Sequence, residues 1–120
     1  MKLLLDTNFI VDLCKFRIDL SEVYDLISES AELYIFNKTL DELKVLSMKA
    51  KHGKYAKLAL HLIDSTKIHV LKTDRDVDNS ILTLDNTFIV ATNDKKLRQK
   101  LRQKEMKTIY LRSRKHLAIG

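Results

Sequence analysis

Short runs of consecutive apolar residues recur along the chain, and such runs are typical of buried β-strands. Their apolar positions are continuous and do not alternate with polar ones, which indicates strands that are covered on both faces of a sheet. The predicted strands are Lys2–Leu5, Leu33–Phe36, Ile68–Leu71, Thr87–Ala91 and Thr108–Leu111.

The segments between these runs carry apolar residues at three- and four-residue spacing, which predicts amphipathic helices. The predicted helices are Phe9–Phe16, Ser21–Glu29, Thr39–Lys51, Tyr55–Asp64, Val77–Leu84 and Asp94–Gln103. Strands that alternate with helices predict an α/β fold with a parallel sheet. Right-handed crossovers would bring the carboxyl ends of the strands to one edge, where open α/β sheets bind ligands.

Composition limits the class of protein. A chain of 120 residues with 45% hydrophobic residues predicts one globular domain over residues 1–120. No apolar run approaches the roughly 18 residues that span a membrane, and the N-terminal leucine run ends at Asp6, too early for a signal peptide. The single cysteine, Cys14, fits a reducing compartment and is predicted to be a small buried hydrophobe. We expect a cytoplasmic protein without a membrane partner.

Charge is distributed unevenly along the chain. Residues 1–46 carry five basic and nine acidic side chains, and residues 47–94 carry seven and six. Residues 95–120 carry ten basic side chains against Glu105 alone, a net charge of +9. This asymmetry indicates a polyanionic partner, for which nucleic acid is the first candidate, although a solvated lysine-rich surface is the plainer interpretation.

Two carboxylates follow predicted strands. Asp6 comes directly after the first strand, and Asp94 follows the fourth strand by two residues. Both should therefore lie at the same edge of the sheet, where their oxygens could bind Mg²⁺ or Mn²⁺. Each residue could instead cap the helix that follows it.

Further acids have competing interpretations. Glu42 could be a metal ligand, or it could close a capping box on the amide of Thr39, and Asp41 is an adjacent competitor. The acids at 74, 76 and 78 precede a short helix, and one of them is predicted to cap it. They lack the glycine and distal glutamate of a calcium loop.

The last predicted helix repeats Lys-Leu-Arg-Gln at 96–99 and 100–103. The repeat places Leu97 and Leu101 on one stripe toward the sheet. Its cations are predicted to point to solvent, where they could contact a phosphate backbone, or they could simply keep an amphipathic helix soluble. The candidate RNA-binding residues are Lys95, Lys96, Arg98 and Arg102.

Four short motifs in this order resemble the PIN-domain ribonucleases. They are "LLLDTN" at 3–8, "TLDEL" at 39–43, "VDNSIL" at 77–82 and "IVATNDKKLRQKLR" at 89–102. A fifth, "TIYLRSRKHL" at 108–117, resembles the closing strand of small archaeal members, so the similarity covers essentially the whole chain. The resemblance implies a three-layer α/β/α sandwich around a mainly parallel sheet of four to five strands.

The resemblance also implies an acidic cluster that binds Mg²⁺ or Mn²⁺ and cleaves RNA. The matching catalytic positions are Asp6, Glu42, Asp78 and Asp94. The metal ligands would be Asp6, Asp94 and either Asp78 or Asn79, because relatives commonly read Asp-Asp-Ala where this chain reads Asp78-Asn79-Ser80. Asn8 and Thr92 match polar positions that support the cluster.

A metal-dependent endoribonuclease is therefore predicted, either the toxin of a toxin–antitoxin pair or an enzyme of rRNA processing. RNA is the expected partner, and the resemblance makes a homodimer and an antitoxin protein candidate partners. An RNA-binding or scaffold protein with little catalysis is the alternative that Asn79 supports. A phosphatase with Asp6 as nucleophile is disfavoured, because it would leave Glu42 and the cationic helix without a role.

Overall fold

A central sheet separates two layers of helices, and its strands follow the predicted apolar runs closely. The computed structural model describes residues 1–27, 30–51 and 53–120. In that part of the chain the strands are β1 (Lys2–Leu5), β2 (Glu32–Phe36), β3 (Ile68–Leu71), β4 (Phe88–Ala91), β5 (Thr108–Arg112) and β6 (His116–Ile119). The five predicted strands are confirmed, and β6 is an addition.

The predicted helices are also present, with shifted ends. They are α1 (Thr7–Lys15), α2 (Leu20–Ile27), α3 (Asn37–Ser47), α4 (Gly53–Ser65), α5 (Val77–Ile81) and α6 (Lys95–Gln103). Glu29, at the end of the second predicted helix, lies outside the described residues. Helix α3 begins two residues before Thr39, and its N-cap is Phe36, which makes no side-chain capping bond.

The sheet order is β3-β2-β1-β4-β5-β6. Strands β1 to β5 pair in parallel, and β6 pairs antiparallel with β5. The predicted mainly parallel sheet is confirmed, with one antiparallel strand added at its edge. The hairpin before β6 escaped prediction because its turn uses Ser113 and Arg114 at positive φ of 55° and 60°, without the Asn-Gly signal typical of such turns.

Two apolar cores lie on opposite faces of the sheet. Alternate residues of β1 divide between them: Leu3 and Leu5 pack with α1, α3 and α4, whereas Leu4 packs with α5 and α6. The three-layer α/β/α arrangement is therefore confirmed. Cys14 is half-buried at the first core, and burial raises the pKa of its thiol, which agrees with its interpretation as a packing residue.

Strands β1 and β4 are neighbours at the point where the chain changes direction across the sheet. From β1 the chain continues to β2 and β3 on one side, and from β4 it continues to β5 on the other. Crevices at the carboxyl ends of strands next to such a switch point are the usual ligand sites of open α/β sheets. In the described part of the chain, no helix is long and apolar enough to cross a membrane.

Candidate active site

Asp6 lies at this switch point and is only 3% exposed. Its amide donates a hydrogen bond to the Ala91 carbonyl at the end of β4, 2.9 Å away. Carboxylate Oδ1 accepts from the Thr7 amide at 2.8 Å, and Oδ2 accepts from the Thr92 hydroxyl at 2.7 Å. Asp6 therefore caps α1, as the alternative interpretation proposed, and also faces the strand ends. Two occupied, buried oxygens are poorly suited to nucleophilic attack, which argues against a phosphatase.

Thr92 connects Asp6 to Asp94. The Thr92 side chain is fully buried, and its hydroxyl accepts a hydrogen bond from the Asp94 amide at 3.2 Å while it donates to Asp6. The Asp94 carboxylate caps α6 by accepting from the Leu97 amide at 3.1 Å. Capping uses one of its two oxygens in this contact, so the other remains free for a ligand.

Glu42 reaches the same edge from α3. Its Oε1 lies 2.6 Å from the Thr7 hydroxyl oxygen, which is also 3.0 Å from the hydroxyl oxygen of Thr39. A hydroxyl has one proton, and the short contact to the carboxylate indicates that Thr7 donates to Glu42. The capping-box interpretation of Glu42 and Thr39 is therefore wrong. From the sequence, Thr39 is named only as a capping residue and Thr7 is not assigned; the one signal for Thr7 is its position directly after Asp6.

Asp78, in the first turn of α5, interacts electrostatically with both strand-end acids, Asp6 and Asp94. Its charge helps to raise the pKa of Asp6, and the charge of Asp94 helps to raise the pKa of Asp78, second to desolvation by burial. Its neighbour Asn79 is exposed, and its amide N–H donates to the α5 cap Asp76 at 3.3 Å. The acid that caps this helix, predicted to be one of three, is thus Asp76.

Burial raises the pKa of the Asp6 carboxyl. Desolvation raises the pKa of its carboxyl from 3.8 to about 6, and repulsion from Asp78 and Glu42 acts in the same direction. Hydrogen bonds from Thr92 and Thr7 oppose the rise, because they stabilise the charged form. An ionised Asp6 is therefore a negative charge that lacks a compensating cation.

The carboxylates suit a hard divalent cation, since Mg²⁺ and Mn²⁺ prefer oxygen ligands. Asp6, Asp78 and Asp94 could hold such an ion. Within residues 1–27, 30–51 and 53–120, no three His, Cys, Asp or Glu side chains are already placed as a metal site.

Asn8 and Asp41 lie beside the four candidate catalytic acids and do not belong to that group. With Thr7, Glu42 and two apolar residues of α3, they line an open groove of about 440 Å³. Both side chains are exposed. Asn8 therefore lies on the rim of the candidate site, where its side chain can contact a ligand.

The cationic helix α6 begins at Asp94. Leu97 and Leu101 are buried against the sheet, as predicted, and Lys95, Lys96 and Arg102 are exposed. Lys100, one of the helix cations but not among the candidate RNA-binding residues, is close enough to lower the pKa of Asp78.

Arg98 departs from the prediction that it points to solvent. Its guanidinium carbon lies 3.8 Å from the ring centre of Tyr110, and its Nε is buried without a hydrogen-bond partner. Four residues of an α-helix exceed one turn by about 40°, so Arg98 and Arg102 do not lie directly above each other. Arg98 is the nearer of the two to the buried stripe of Leu97 and Leu101. Arg98 therefore contributes to packing between α6 and β5.

Asn93 is a structural residue that sequence reasoning did not assign to the site. Its Nδ2 donates to Asp12 of α1 at 2.8 Å, and its Oδ1 accepts from the Leu111 amide of β5 at 2.7 Å. It therefore fixes α1 and β5 against the loop that carries Thr92 and Asp94.

Thr92→Val is expected to lower stability by about 1–3 kcal/mol, because it leaves a buried carboxylate oxygen and the Asp94 amide without their hydroxyl partner. Thermal unfolding measures the loss. Thr83→Val, an exposed threonine whose hydroxyl bonds locally to the Ser80 carbonyl, is the matched control. Equal melting temperatures for the two variants would show that Thr92 does not hold the acids together.

Comparisons with known proteins agree with this architecture. The PIN-like domain family matches residues 3–114. The chain is 30% identical over 126 residues to Ribonuclease VapC4 of Methanocaldococcus jannaschii, covering 98% of this chain and 95% of that protein. Among solved structures, the PIN domain endonuclease Utp24 matches with a TM-score of 0.82 and 20% identity, over 99% of this chain and 90% of that one.

A second solved structure, VapBC2 from Rickettsia felis bound to a DNA fragment from its promoter, matches with a TM-score of 0.56 and 14% identity. The match covers 82% of this chain and 92% of that chain. At these identities, both solved structures indicate a shared fold.

Proposed function

Because this chain belongs to the PIN-like domain family, we propose that it is a divalent-metal-dependent endoribonuclease that hydrolyses RNA phosphodiester bonds. A relative that is a ribonuclease and aligns over nearly the full length of both chains supports RNA as the substrate. The cofactor is Mg²⁺ or Mn²⁺, since the candidate ligands are carboxylate oxygens.

One observation carries the proposal: acids from four separate segments face one edge of the sheet. Thr7 hydrogen-bonds Glu42, and Thr92 hydrogen-bonds both the Asp6 carboxylate and the Asp94 amide. Asp78 joins through its charge, which raises the pKa of Asp6. Stability alone gives no reason to collect repelling carboxylates at the switch point of a sheet, whereas a cation site does.

Each acid has a role in this proposal. Asp6, Asp78 and Asp94 hold the ion, and Asp78 replaces Asn79 as the third ligand because it faces both of the other acids. Glu42, oriented by the Thr7 hydroxyl, lies at the groove side of the cluster. The bound ion would supply Lewis acidity toward the phosphodiester and a readily ionised water.

The cations of α6 bring the RNA to these acids. Lys95, Lys96 and Arg102 are exposed on the helix that starts at Asp94, and Lys100 approaches Asp78. Phosphate groups that contact this face would be drawn toward a cluster that otherwise repels them. Arg98 packs on Tyr110 and positions α6, so its guanidinium is more constrained than the exposed cations of the helix.

Between the two biological roles, the relative named VapC4 supports the toxin of a toxin–antitoxin pair over an rRNA-processing enzyme. The antitoxin is then the expected protein partner. A homodimer and a cytoplasmic location remain predictions of the sequence.

Cleavage of end-labelled single-stranded RNA with Mn²⁺ tests the proposal. Asp78→Asn and Asp94→Asn are each expected to lower the rate by more than about 100-fold, because removing residues that merely support metal ligands already costs 10- to 100-fold. Asn79→Ala should have a much smaller effect, because its amide side chain carries no negative charge to compensate the cation. Asp74→Asn, an exposed acid on the same loop, is the matched control.

Equal cutting by all four variants and the wild type would mean that a contaminant cleaves the RNA. If neither the wild type nor any variant cuts RNA, but the wild type binds RNA tightly, the chain is an RNA-binding or scaffold protein. A larger loss for Asn79→Ala than for Asp78→Asn would transfer the ligand role to Asn79.

A further inference from the structure

A second basic surface lies beyond α6, at the tip of the β5–β6 hairpin. Its members, which we call the hairpin cations, are Lys15, Arg17, Arg112, Arg114 and Lys115. All of them are exposed. Three of the ten basic residues in the strongly cationic segment 95–120 belong to this group, and the proposed role of α6 does not account for them.

The surface is held in place by the ring of Phe16, which follows α1. Lys15 Nζ lies 5.4 Å from the ring centre, and the guanidinium carbon of Arg114 lies 5.6 Å from it. Both distances are within the range of cation–π attraction. The same ring thus gathers cations from α1 and from the hairpin, which are distant in sequence.

Backbone conformation adds to the arrangement. Arg17, Ser113 and Arg114 have positive φ of 54°, 55° and 60°, a region that non-glycine residues seldom occupy. The tight turn at 113–114 leaves Arg112 and Lys115 on its two flanks, so the hairpin presents its cations together.

Carboxylates do not neutralise these cations. In residues 1–27, 30–51 and 53–120, the one ion pair within 4.0 Å joins His69 and Glu32, on β3 and β2. Glu22 and Asp25 of α2 line a groove beside His116, at the border of the surface, without forming an ion pair there. Lys15, in the last turn of α1, can also interact with the negative end of the helix dipole.

The hairpin lies at the same edge of the sheet as the acids. Strand β5 pairs in parallel with β4, so both strands end at this edge, and Asn93 bonds the β5 residue Leu111 from the loop after β4. At a strand spacing of about 4.8 Å, the hairpin is displaced from β4 by about 7 Å and from β1 by about 12 Å. A few nucleotides of an extended strand cover that distance.

We propose that the hairpin cations bind the phosphate backbone of single-stranded RNA on the β6 side of the bond to be cleaved. This inference rests on the proposed ribonuclease function, because that function places the strand at this edge. Together with the exposed cations of α6, which packs on β5, the hairpin would lengthen the contact with the strand beyond the acids. Exposed cations that continue from the candidate site to the hairpin match a continuous polyanion such as RNA.

The test compares two triple variants. Arg112→Ala/Arg114→Ala/Lys115→Ala removes three of the five hairpin cations, and Lys49→Ala/Lys57→Ala/Lys67→Ala removes three exposed lysines between α3 and β3. Fluorescence anisotropy with a long labelled single-stranded RNA in EDTA, which prevents cleavage, gives Kd over a range of salt concentrations. In the hairpin variant, the slope of log Kd against log salt should be smaller by about 2, because each lost phosphate contact lowers the slope by about 0.7.

The control variant should keep the wild-type slope. Lys115→Ala alone changes one exposed residue at the flank of the turn, and its slope should be smaller by about 0.7. This single variant keeps the test valid if the triple variant unfolds. An unchanged slope in the hairpin variants would overturn the proposal. Equal losses of binding to RNA and to polyglutamate would also overturn it, in favour of an acidic protein partner.

The outcomes separate this inference from the function on which it rests. If the wild type cleaves RNA and the slope does not change, only the hairpin surface is wrong. If the wild type does not cleave RNA but the slope falls, the ribonuclease function is wrong and the RNA-binding surface stands.

Discussion

Replacing Asp6 by asparagine is expected to lower RNA cleavage by more than about 100-fold while making the metal-free protein more stable at pH 8. The carboxyl is buried, and its pKa is raised from 3.8 to about 6. Asparagine has nearly the same shape and can keep the bond from the Thr7 amide, but it carries no charge that needs compensation. Activity and stability should therefore change in opposite directions.

The pH dependence follows from the direction of the shift. Below pH 3.8 the carboxyl is protonated in the folded and unfolded states, and it costs no stability. As pH rises toward 6, the unfolded state ionises first, and the folded state becomes progressively disfavoured. Above pH 6 the cost levels off at about 3 kcal/mol, of which the asparagine variant should recover a part.

Urea unfolding in EDTA at pH 4 and pH 8 measures this difference. Asp6→Asn should gain more relative to the wild type at pH 8 than at pH 4, and Asp25→Asn, an exposed acid on α2, should show no such change. A variant that is less stable than the wild type at pH 8 would show that hydrogen bonds to Asp6 outweigh its desolvation. A variant with wild-type cleavage would remove Asp6 from the site.

Mn²⁺ is expected to stabilise the protein strongly, because it compensates the carboxylates that repel one another. At a concentration 100 times its Kd, a ligand that binds only the folded state adds about 2.7 kcal/mol. For a chain of this length, that corresponds to a rise in Tm of about 10 °C. EDTA should reverse the rise and abolish RNA cleavage.

Thermal unfolding with and without Mn²⁺ measures the stabilisation, with Asp94→Asn and Asp74→Asn as the paired variants. The rise should be largely lost in the first and retained in the second, since only Asp94 is linked to Asp6. It should also shrink at pH 5, where protons compete for Asp6. An equal rise in both variants would place the ion elsewhere on the acidic surface.

Two buried hydroxyl groups position acids of the candidate site. Thr7 and Thr92 are buried threonines that donate to Glu42 and Asp6, respectively, so each partly compensates a carboxylate. Charge-assisted bonds of this kind are stronger than neutral ones. The threonines thus position the acids, and an ion would supply the charge that they lack.

The amino-acid sequence by itself determined the strands, the helices and the two-sided burial of the sheet. Those features depend on local periodicity and on residue type, which the continuous apolar run of β4 and the spaced leucines of α6 display directly. Strand β6 was missed because the turn that precedes it lacks the glycine typical of hairpins.

Only the tertiary structure decided how the acids are used. Thr7 and Glu42 are 35 residues apart and Asp6 and Thr92 are 86 apart, so no local pattern could predict these bonds. The same holds for Arg98, whose stacking on Tyr110 depends on how α6 packs against β5. Sequence periodicity specifies which face of an element is buried, whereas contacts between distant elements depend on the packed arrangement of the whole sheet.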